Sequence, residues 1–423
     1  LGCNAGMSLN AGDDNVFIGK CAGCKSTSGN YNIAFGKLAM GSCDVTGENN
    51  IALGCQAGLK VTSGNHNTFI GNNVAANVAT TGSYNFIFGK NGAVSLSSGS
   101  CNIVLGGYSG GSCLSTGGNN ILLGDRVASA GGAALTGSSN VILGAKAGYK
   151  LTTGSTNIFL GCQAGCGSAA ITGTYNNLFG YGAGKEISEA YRNNAMGNGA
   201  LGALTTGRCN VAIGPQAGDN VSTGCNNVTL GAFAGCLIAG GNDNIFFGDS
   251  AGRNTADSNK NIFIGSCAGQ SNTSGCCNVA IGYNVCLPSA TGNDQLAIGN
   301  GTNRWITGVG QTSVTIAGIA TVYNATGIVS ATAFYGDGSN LSGLSGFSQD
   351  STGNLVAGTG AGAAIDSDTC FNIMLGCKAG AALNAGDHNV LLGRYAGCSI
   401  TSGINNLVIG NQAGLGLVDG TYN

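Results

Sequence analysis

The feature that most constrains this chain is a short mark, an asparagine followed four residues later by glycine, which recurs along nearly all of its 423 residues. Typical copies are Asn50-Ile-Ala-Leu-Gly54 and Asn157-Ile-Phe-Leu-Gly161. Successive marks are 17 residues apart from Asn193 through Asn278 and 17 to 20 apart earlier. A fixed period of this length is typical of stacked structural repeats, in which each unit contacts only its neighbours.

Two further marks complete the repeat. Ala-Gly follows the asparagine by seven and eight residues, as at Ala57-Gly58, and a polar Thr-Thr-Gly or Thr-Ser-Gly precedes the next asparagine, as at Thr152-Thr153-Gly154. Glycine at this density disfavours helices, whereas short β-branched and aromatic runs bounded by glycine favour strands. The sequence therefore predicts an all-β fold, a parallel β-solenoid or β-roll of about twenty 17-residue coils spaced by roughly 4.8 Å.

The recurring asparagines are predicted to stack on one another from coil to coil. Their amides would satisfy backbone groups at the turn and join the neighbouring amides in a ladder. We interpret them as structural residues, and not as a sugar-binding row, because every coil carries one. The predicted ladder consists of Asn15, Asn32, Asn50, Asn67, Asn85, Asn102, Asn120, Asn140, Asn157, Asn176, Asn193, Asn210, Asn227, Asn244, Asn261, Asn278, Asn354, Asn372, Asn389 and Asn406.

The repeat divides the chain into three predicted parts. One solenoid array covers residues 1–299, a short β connector covers 300–353, and a second array covers 354–423 and is expected to continue beyond the sequence. The asparagine register lapses after Gly299 and resumes at Asn354. Trp305, the single tryptophan, is predicted to be a packing residue of the connector.

The middle residue of the three-residue strands is apolar in most coils, although one face of a lone solenoid should be polar. We therefore predict that this position faces outward and is buried against other copies of the chain, because a continuous apolar stripe is rarely left in water. The predicted inter-chain stripe contains Phe17, Phe69, Ile87, Val104, Leu122, Ile142, Phe159, Phe246 and Phe263.

Composition excludes several classes of protein. Seventy-nine glycines without a G-X-Y period exclude collagen, and 43% hydrophobic residues argue against a disordered chain. A formal net charge of −2 with scattered charges gives no basic patch for nucleic acid. Gly, Asn and Ser interrupt every apolar window, so the sequence predicts no insertion into a membrane as helices.

Reactive side chains do not form a recognisable site. The 19 cysteines are interpreted mainly as small buried thiols of a protein assembled in a reducing cytoplasm. Cys21-x-x-Cys24 has metal-site spacing, but no second such pair exists and the chain has 2 histidines. Asp13-Asp14 and Asp366-x-Asp368 are interpreted as solvated corners. We therefore predict no catalytic, cofactor-binding or metal-binding residue and no enzyme activity.

The coil consensus Asn-x-x-[Ile/Leu/Phe]-Gly-x-x-Ala-Gly-x-x-x-Thr-x-Gly resembles the head repeats of trimeric autotransporter adhesins and the solenoid-like repeats of viral tail fibres, over residues 1–299 and 354–423. Its coils are longer than those of the adhesin heads. Asn303-Arg-Trp-Ile306 and the segment from Ser330 to Leu344, with Phe-Tyr-Gly-Asp-Gly-Ser-Asn-Leu, resemble segments of phage tail fibres.

The resemblance implies a parallel homotrimeric fibre on a virion surface that acts as a rigid spacer and contacts a host-surface receptor or glycan. A cellular surface adhesin with a trimeric β-roll head is the alternative, which also implies an extracellular location. A remote alternative is an ice-binding solenoid that displays one Thr pair per coil. That pair is replaced at Ser97-Ser98 and Ala239-Gly240, which would spoil a regular array.

Overall fold

The computed structural model describes residues 2–108, 110–129, 133–309, 313–316 and 348–423. These residues form strands, turns and bends and contain no helix. The predicted all-β solenoid with coils of about 17 residues is confirmed: seventeen parallel strands in one array and four in another give about 21 coils. The chain divides into two compact units, Leu1–Thr321 and Val322–Asn423.

In the first unit each strand between the first and the last of the array pairs in parallel with the strand one coil earlier and the strand one coil later. The strands are β1 (Val16–Ile18), β2 (Ile33–Phe35), β3 (Ile51–Leu53), β4 (Thr68–Ile70), β5 (Phe86–Lys90), β6 (Ile103–Tyr108), β7 (Ile121–Leu123), β8 (Val141–Leu143), β9 (Ile158–Leu160), β10 (Asn177–Phe179), β11 (Asn194–Met196), β12 (Val211–Ile213), β13 (Val228–Leu230), β14 (Ile245–Phe247), β15 (Ile262–Ile264), β16 (Val279–Ile281) and β17 (Gln295–Asn300).

After β17 the backbone leaves the parallel path. It turns back into β18 (Asn303–Val309) and then into β19 (Ser313–Ile316), and both of these pairings are antiparallel. Trp305 on β18 is 59% exposed, which does not support its predicted role as a packing residue of the connector. Residues 310–312 and 317–347, most of the predicted connector, lie outside the described residues.

The second unit repeats the same coil. It contains β20 (Ser348–Gln349), β21 (Leu355–Ala357), β22 (Ile373–Leu375), β23 (Val390–Leu392) and β24 (Leu407–Ile409). Strands β21 to β24 are parallel, and β20 pairs with β21 in the antiparallel sense. Its core is a separate cluster that includes Met374, Leu391 and Val408.

The asparagines form a continuous ladder in each unit, and all twenty of the predicted residues belong to it. Asn140 is a typical member: its Oδ1 accepts from the Asn157 backbone N–H at 2.9 Å and from Asn157 Nδ2 at 3.2 Å. Its own Nδ2 donates to Asn120 Oδ1 and to the Gly154 carbonyl, both at 3.0 Å. One side chain thus links three consecutive coils and satisfies polar groups that would otherwise be buried without partners.

The middle strand position faces the interior of its own coil, and the prediction that it forms an inter-chain stripe is wrong. Eight of the nine predicted residues are 0% exposed in the single chain: Phe69, Ile87, Val104, Leu122, Ile142, Phe159, Phe246 and Phe263. The ninth, Phe17, is partly buried against the same core. Side chains alternate along a strand, so the residue two after the inward-facing asparagine also points inward.

Two glycine positions show why the coil tolerates no side chain there. At Gly54, which follows β3 with φ +131°, an added Cβ would lie 2.1 Å from the carbonyl oxygen of Gly71 in the next coil. At Gly269, in an Ala-Gly mark with φ +62°, it would lie 2.4 Å from Cδ2 of Phe263. The first glycine permits close stacking of coils, and the second permits an aromatic core in a narrow cross-section.

The inward orientation predicts a large effect of Phe246→Ala. The Phe246 ring is fully buried and stacks on Phe263 with centroids 5.0 Å apart. Truncation should destabilise the first unit by about 3–5 kcal/mol in denaturant unfolding. The control Tyr283→Ala, at a 64% exposed ring, should change stability by less than about 0.5 kcal/mol. Equal effects of the two variants would contradict the assigned orientation.

The ladder predicts a local effect of Asn140→Ala. The variant leaves the buried Asn157 amide and the Gly154 carbonyl without their partners, at about 1–3 kcal/mol for each group. Amide hydrogen exchange at Asn157 should accelerate accordingly. Asn198→Ala, at an exposed asparagine outside the ladder, should leave exchange unchanged. An unaltered exchange rate at Asn157 in the first variant would refute the ladder.

Candidate functional site

The most unusual surface of the first unit is formed by the outward side chains of its strands. We call this surface the outer strand face and define it as the first and third residues of the three-residue strand core in β1 to β17. These residues flank the buried middle residue and point to the other side of the strand. The strand pairings place them in two vertical columns, because each pairing aligns first with first and third with third.

The third-position column is apolar in every coil of the first unit. It contains Ile18, Phe35, Leu53, Ile70, Phe88, Leu105, Leu123, Leu143, Leu160, Phe179, Met196, Ile213, Leu230, Phe247, Ile264, Ile281 and Ile298. Several members are open to solvent in the single chain, with Phe35 55% and Phe247 54% exposed. Phenylalanine at such positions leaves apolar surface in contact with water in the single chain.

The first-position column is apolar in fourteen of its seventeen members. These are Val16, Ile33, Ile51, Phe86, Ile103, Ile121, Val141, Ile158, Val211, Val228, Ile245, Ile262, Val279 and Leu296. The remaining three are Thr68, Asn177 and Asn194. Neither column contains a charged side chain, although the chain as a whole contains 34 charged residues, 16 basic and 18 acidic.

The dimensions of the face match those of a protein interface. Seventeen strands at roughly 4.8 Å make a face about 80 Å long, and three residues at about 3.3 Å make it about 10 Å wide. The resulting area, on the order of 800 Å², equals the usual contribution of one partner to a stable complex. It also exceeds the largest apolar patch of a typical monomer, about 300–600 Å².

The face is interrupted by a polar pair at β10 and β11. Asn177 Nδ2 donates to Asn194 Oδ1 at 2.8 Å, and the two residues are register partners in adjacent coils. They line a concavity of about 260 Å³ together with Phe179, Met196 and Ile213. The concavity lies where the two short amides take the first positions that Ile158 and Val211 occupy in the adjacent coils.

Two ladder residues escaped the sequence analysis. Gln295 extends the first ladder, since its backbone N–H donates to Asn278 Oδ1 at 2.8 Å. Asn423 extends the second, donating from its backbone N–H to Asn406 Oδ1 at 3.0 Å. Both lie 17 residues after the preceding asparagine, and Gln295 also keeps the glycine four residues later. The 17-residue period alone predicts both positions. The pattern of an asparagine followed four residues later by glycine does not include them.

A second polar ladder lies two residues before the first and was also not predicted. There the side chain of one coil accepts a hydrogen bond from the backbone N–H of the previous coil. Examples are Ser83 N–H to Ser100 Oγ at 3.0 Å and Asn242 N–H to Asn259 Oδ1 at 2.7 Å. The position holds several residue types, so no consensus residue indicated it.

The cysteine pair with metal-site spacing is part of the packing. Cys24 is buried, and its thiol donates to the Gly41 carbonyl at 2.9 Å. Burial raises the pKa of the Cys24 thiol, and the neighbouring Cys21 raises it further. A raised pKa keeps the thiol protonated, which is the opposite of what a nucleophile or a metal ligand requires.

The acidic pair of the second unit closes a turn. Asp366 Oδ1 accepts from the Asp368 backbone N–H at 3.0 Å and from the Thr369 hydroxyl at 3.1 Å. Across the part of the chain that the structure describes, no group of three or more His, Cys, Asp or Glu side chains could hold a metal ion. The same residues include no helix long and apolar enough to span a membrane.

The packing of Cys24 predicts selective labelling of the folded protein. Alkylation requires the thiolate, so a buried thiol with a raised pKa should react at least about tenfold more slowly than the exposed Cys277 between pH 7 and 9. Any stability gained from the protonated Cys24 thiol is lost as the pH rises through its folded-state pKa. Peptide mapping after iodoacetamide treatment measures both rates. Equal rates in the folded chain would contradict the packing.

The chain was also compared with known proteins. No protein-family model matches it, and a search of curated proteins finds no significant match. The coil architecture and the outer strand face therefore carry the functional argument by themselves.

Proposed function

We propose that this chain is a structural fibre protein of a virion, similar to a tail fibre, which serves as a rigid spacer and attaches the particle to a host surface. In this proposal three copies associate in parallel through their outer strand faces. The observation that carries it is the uncharged pair of apolar columns on β1 to β17. The trimeric number and the virion location come from the resemblance to fibre repeats.

The geometry of the coil favours a second copy of this chain as the occupant of the face. Two parallel copies share the same coil spacing, so each strand of one copy meets a strand of the next along the full length of the face. A globular partner would contact only a few coils. Burial of an apolar side chain contributes about 1.5–3 kcal/mol when complete, and partial burial over seventeen coils still exceeds the cost of association.

The ladders support a spacer role. Within each ladder the interior asparagines bond both to the coil before and to the coil after, so adjacent coils cannot separate without breaking several buried hydrogen bonds. Neighbouring coils also share the parallel strand pairings and a continuous hydrophobic core. A column linked in this way resists bending and local opening, which is what a spacer between a particle and a surface requires.

The Thr pairs give little support to the ice-binding alternative. Thr62 and Thr205 use their hydroxyls to donate to the Thr80 and Ser222 carbonyls, each at 3.1 Å. Thr152 does the same to the Ile171 carbonyl at 3.1 Å. These hydroxyls already donate to carbonyl groups of the next coil. They are therefore not free to donate to an ordered layer of water molecules.

The proposal predicts the effect of charge on the face. The unmodified chain should sediment as a trimer. The double variant Phe88→Lys with Phe247→Lys buries two ammonium groups per chain and should raise the dissociation constant by on the order of 100-fold or more. The matched control, Tyr181→Lys with Tyr283→Lys, changes two rings outside the face that are at least as exposed in the single chain, and it should remain trimeric.

Analytical ultracentrifugation gives the mass of each species, and circular dichroism verifies that each variant keeps its strands. A folded, monomeric unmodified chain at micromolar concentration would refute the proposal. So would a control that dissociates as readily as the double variant on the face.

A further inference from the structure

A face built from nearly identical coils raises a problem of register. A neighbouring copy that slips by one coil, about 4.8 Å, still meets apolar side chains along almost the whole face. The slipped form loses only the contacts of one terminal coil at each end of the face. Apolar repetition therefore stabilises association without defining which coil of one copy meets which coil of the next.

Three polar residues break this repetition. Thr68 lies on β4, and Asn177 and Asn194 lie on β10 and β11, all in the first-position column. We infer that these residues, and above all the Asn177–Asn194 pair, set the register in which copies of this chain associate. The inference rests on the proposed self-association through the outer strand face and adds to it a specificity determinant.

The hydrogen bonding of the pair supports the inference. Asn177 Nδ2 donates to Asn194 Oδ1, so each amide uses one of its two polar ends within the chain. Within the described residues, Asn177 Oδ1 and Asn194 Nδ2 have no hydrogen-bond partner. One is an acceptor and the other is a donor, so the pair on one copy is complementary to the same pair on the next.

The spacing of the three residues selects one alignment. At zero offset, Thr68 meets Thr68 and each asparagine meets the pair of the other copy. A slip of one coil places Asn194 against Val211 and Asn177 against Ile158. At least two amides then lose their partners in an apolar environment, which disfavours the slipped form by on the order of 30-fold or more.

An antiparallel copy satisfies the pair in one arrangement only, with the two-fold axis between β10 and β11. That arrangement puts the coil of Thr68 opposite the coil of Leu296 and leaves the hydroxyl facing apolar side chains. The parallel arrangement without offset is therefore the one that matches all three polar positions. The pair acts as a buried polar residue does in a helical coiled coil, where it fixes register at some cost in affinity.

The test maps register directly by photo-crosslinking. A photoreactive phenylalanine analogue replaces Ile245 on β14, and copies of normal and heavy isotope composition are mixed so that cross-links between chains are identified by mass. In the unmodified chain, inter-chain cross-links should fall within the coil of Ile245. In the double variant Asn177→Ile with Asn194→Val, cross-links to the coils of Val228 and Ile262 should appear, at least tenfold above their level in the unmodified chain.

Two further variants complete the design. Asn198→Val removes an exposed amide outside the face and should keep a single register. Asn177→Ile with Val211→Asn moves the pair by one coil and should restore a single register to an assembly lacking the original pair. Both Ile and Val occur at first positions of other coils, so the fold should tolerate these changes.

Mixed register in the double variant and single register in the transplanted one support the inference. Single register in the double variant, or mixed register in the unmodified chain, overturns it while self-association stands. An unmodified chain that gives no inter-chain cross-link and sediments as a monomer overturns the proposed function itself, and with it the inference.

Discussion

The structure depends on the asparagine ladder. Each coil of 17 residues is too small to hold a core of its own, so it folds only when stacked on its neighbours. The ladder supplies the connection, because an amide carries both a donor and an acceptor and can pair upward and downward at once. Hydrogen bonds such as those of Asn140 and Asn157 fix the spacing between coils and the register of the strands. The positions of the other residues of each coil follow from that spacing and register.

Because the ladder faces inward, it also decides which strand residues face outward. The middle residue fills a narrow core in which small residues such as Ala34 and Ala52 stack on rings such as Phe69. The first and third residues must then lie on the surface, and nearly all are apolar. A surface of this kind is stable in water only when covered, which connects the geometry of a single amide to the proposed assembly of the chain.

Sequence alone predicted the coil, its period and the ladder, because these depend on local marks that recur at a fixed interval. It placed the apolar stripe on the wrong side of the strand. Both sides are apolar, so alternation gave no polar signal to orient the strand. The signal that was present is the buried asparagine itself: the middle residue, two positions later, must share its side. The size variation between Ala52 and Phe69 also indicates a confined interior.

The polar pair at Asn177 and Asn194 was not recognised from the sequence, because its significance depends on the alignment of the two side chains in adjacent coils.

The central claim is that the outer strand face is covered by other copies of this chain. An electron cryomicroscopy map of the purified chain, at a resolution that separates strands about 4.8 Å apart, tests it most directly. The account predicts three parallel columns whose first and third strand residues meet around a common axis, with the ladder asparagines inside each column. A map in which Phe88 and Phe247 face solvent on an isolated column, or on the outside of an assembly, would contradict it.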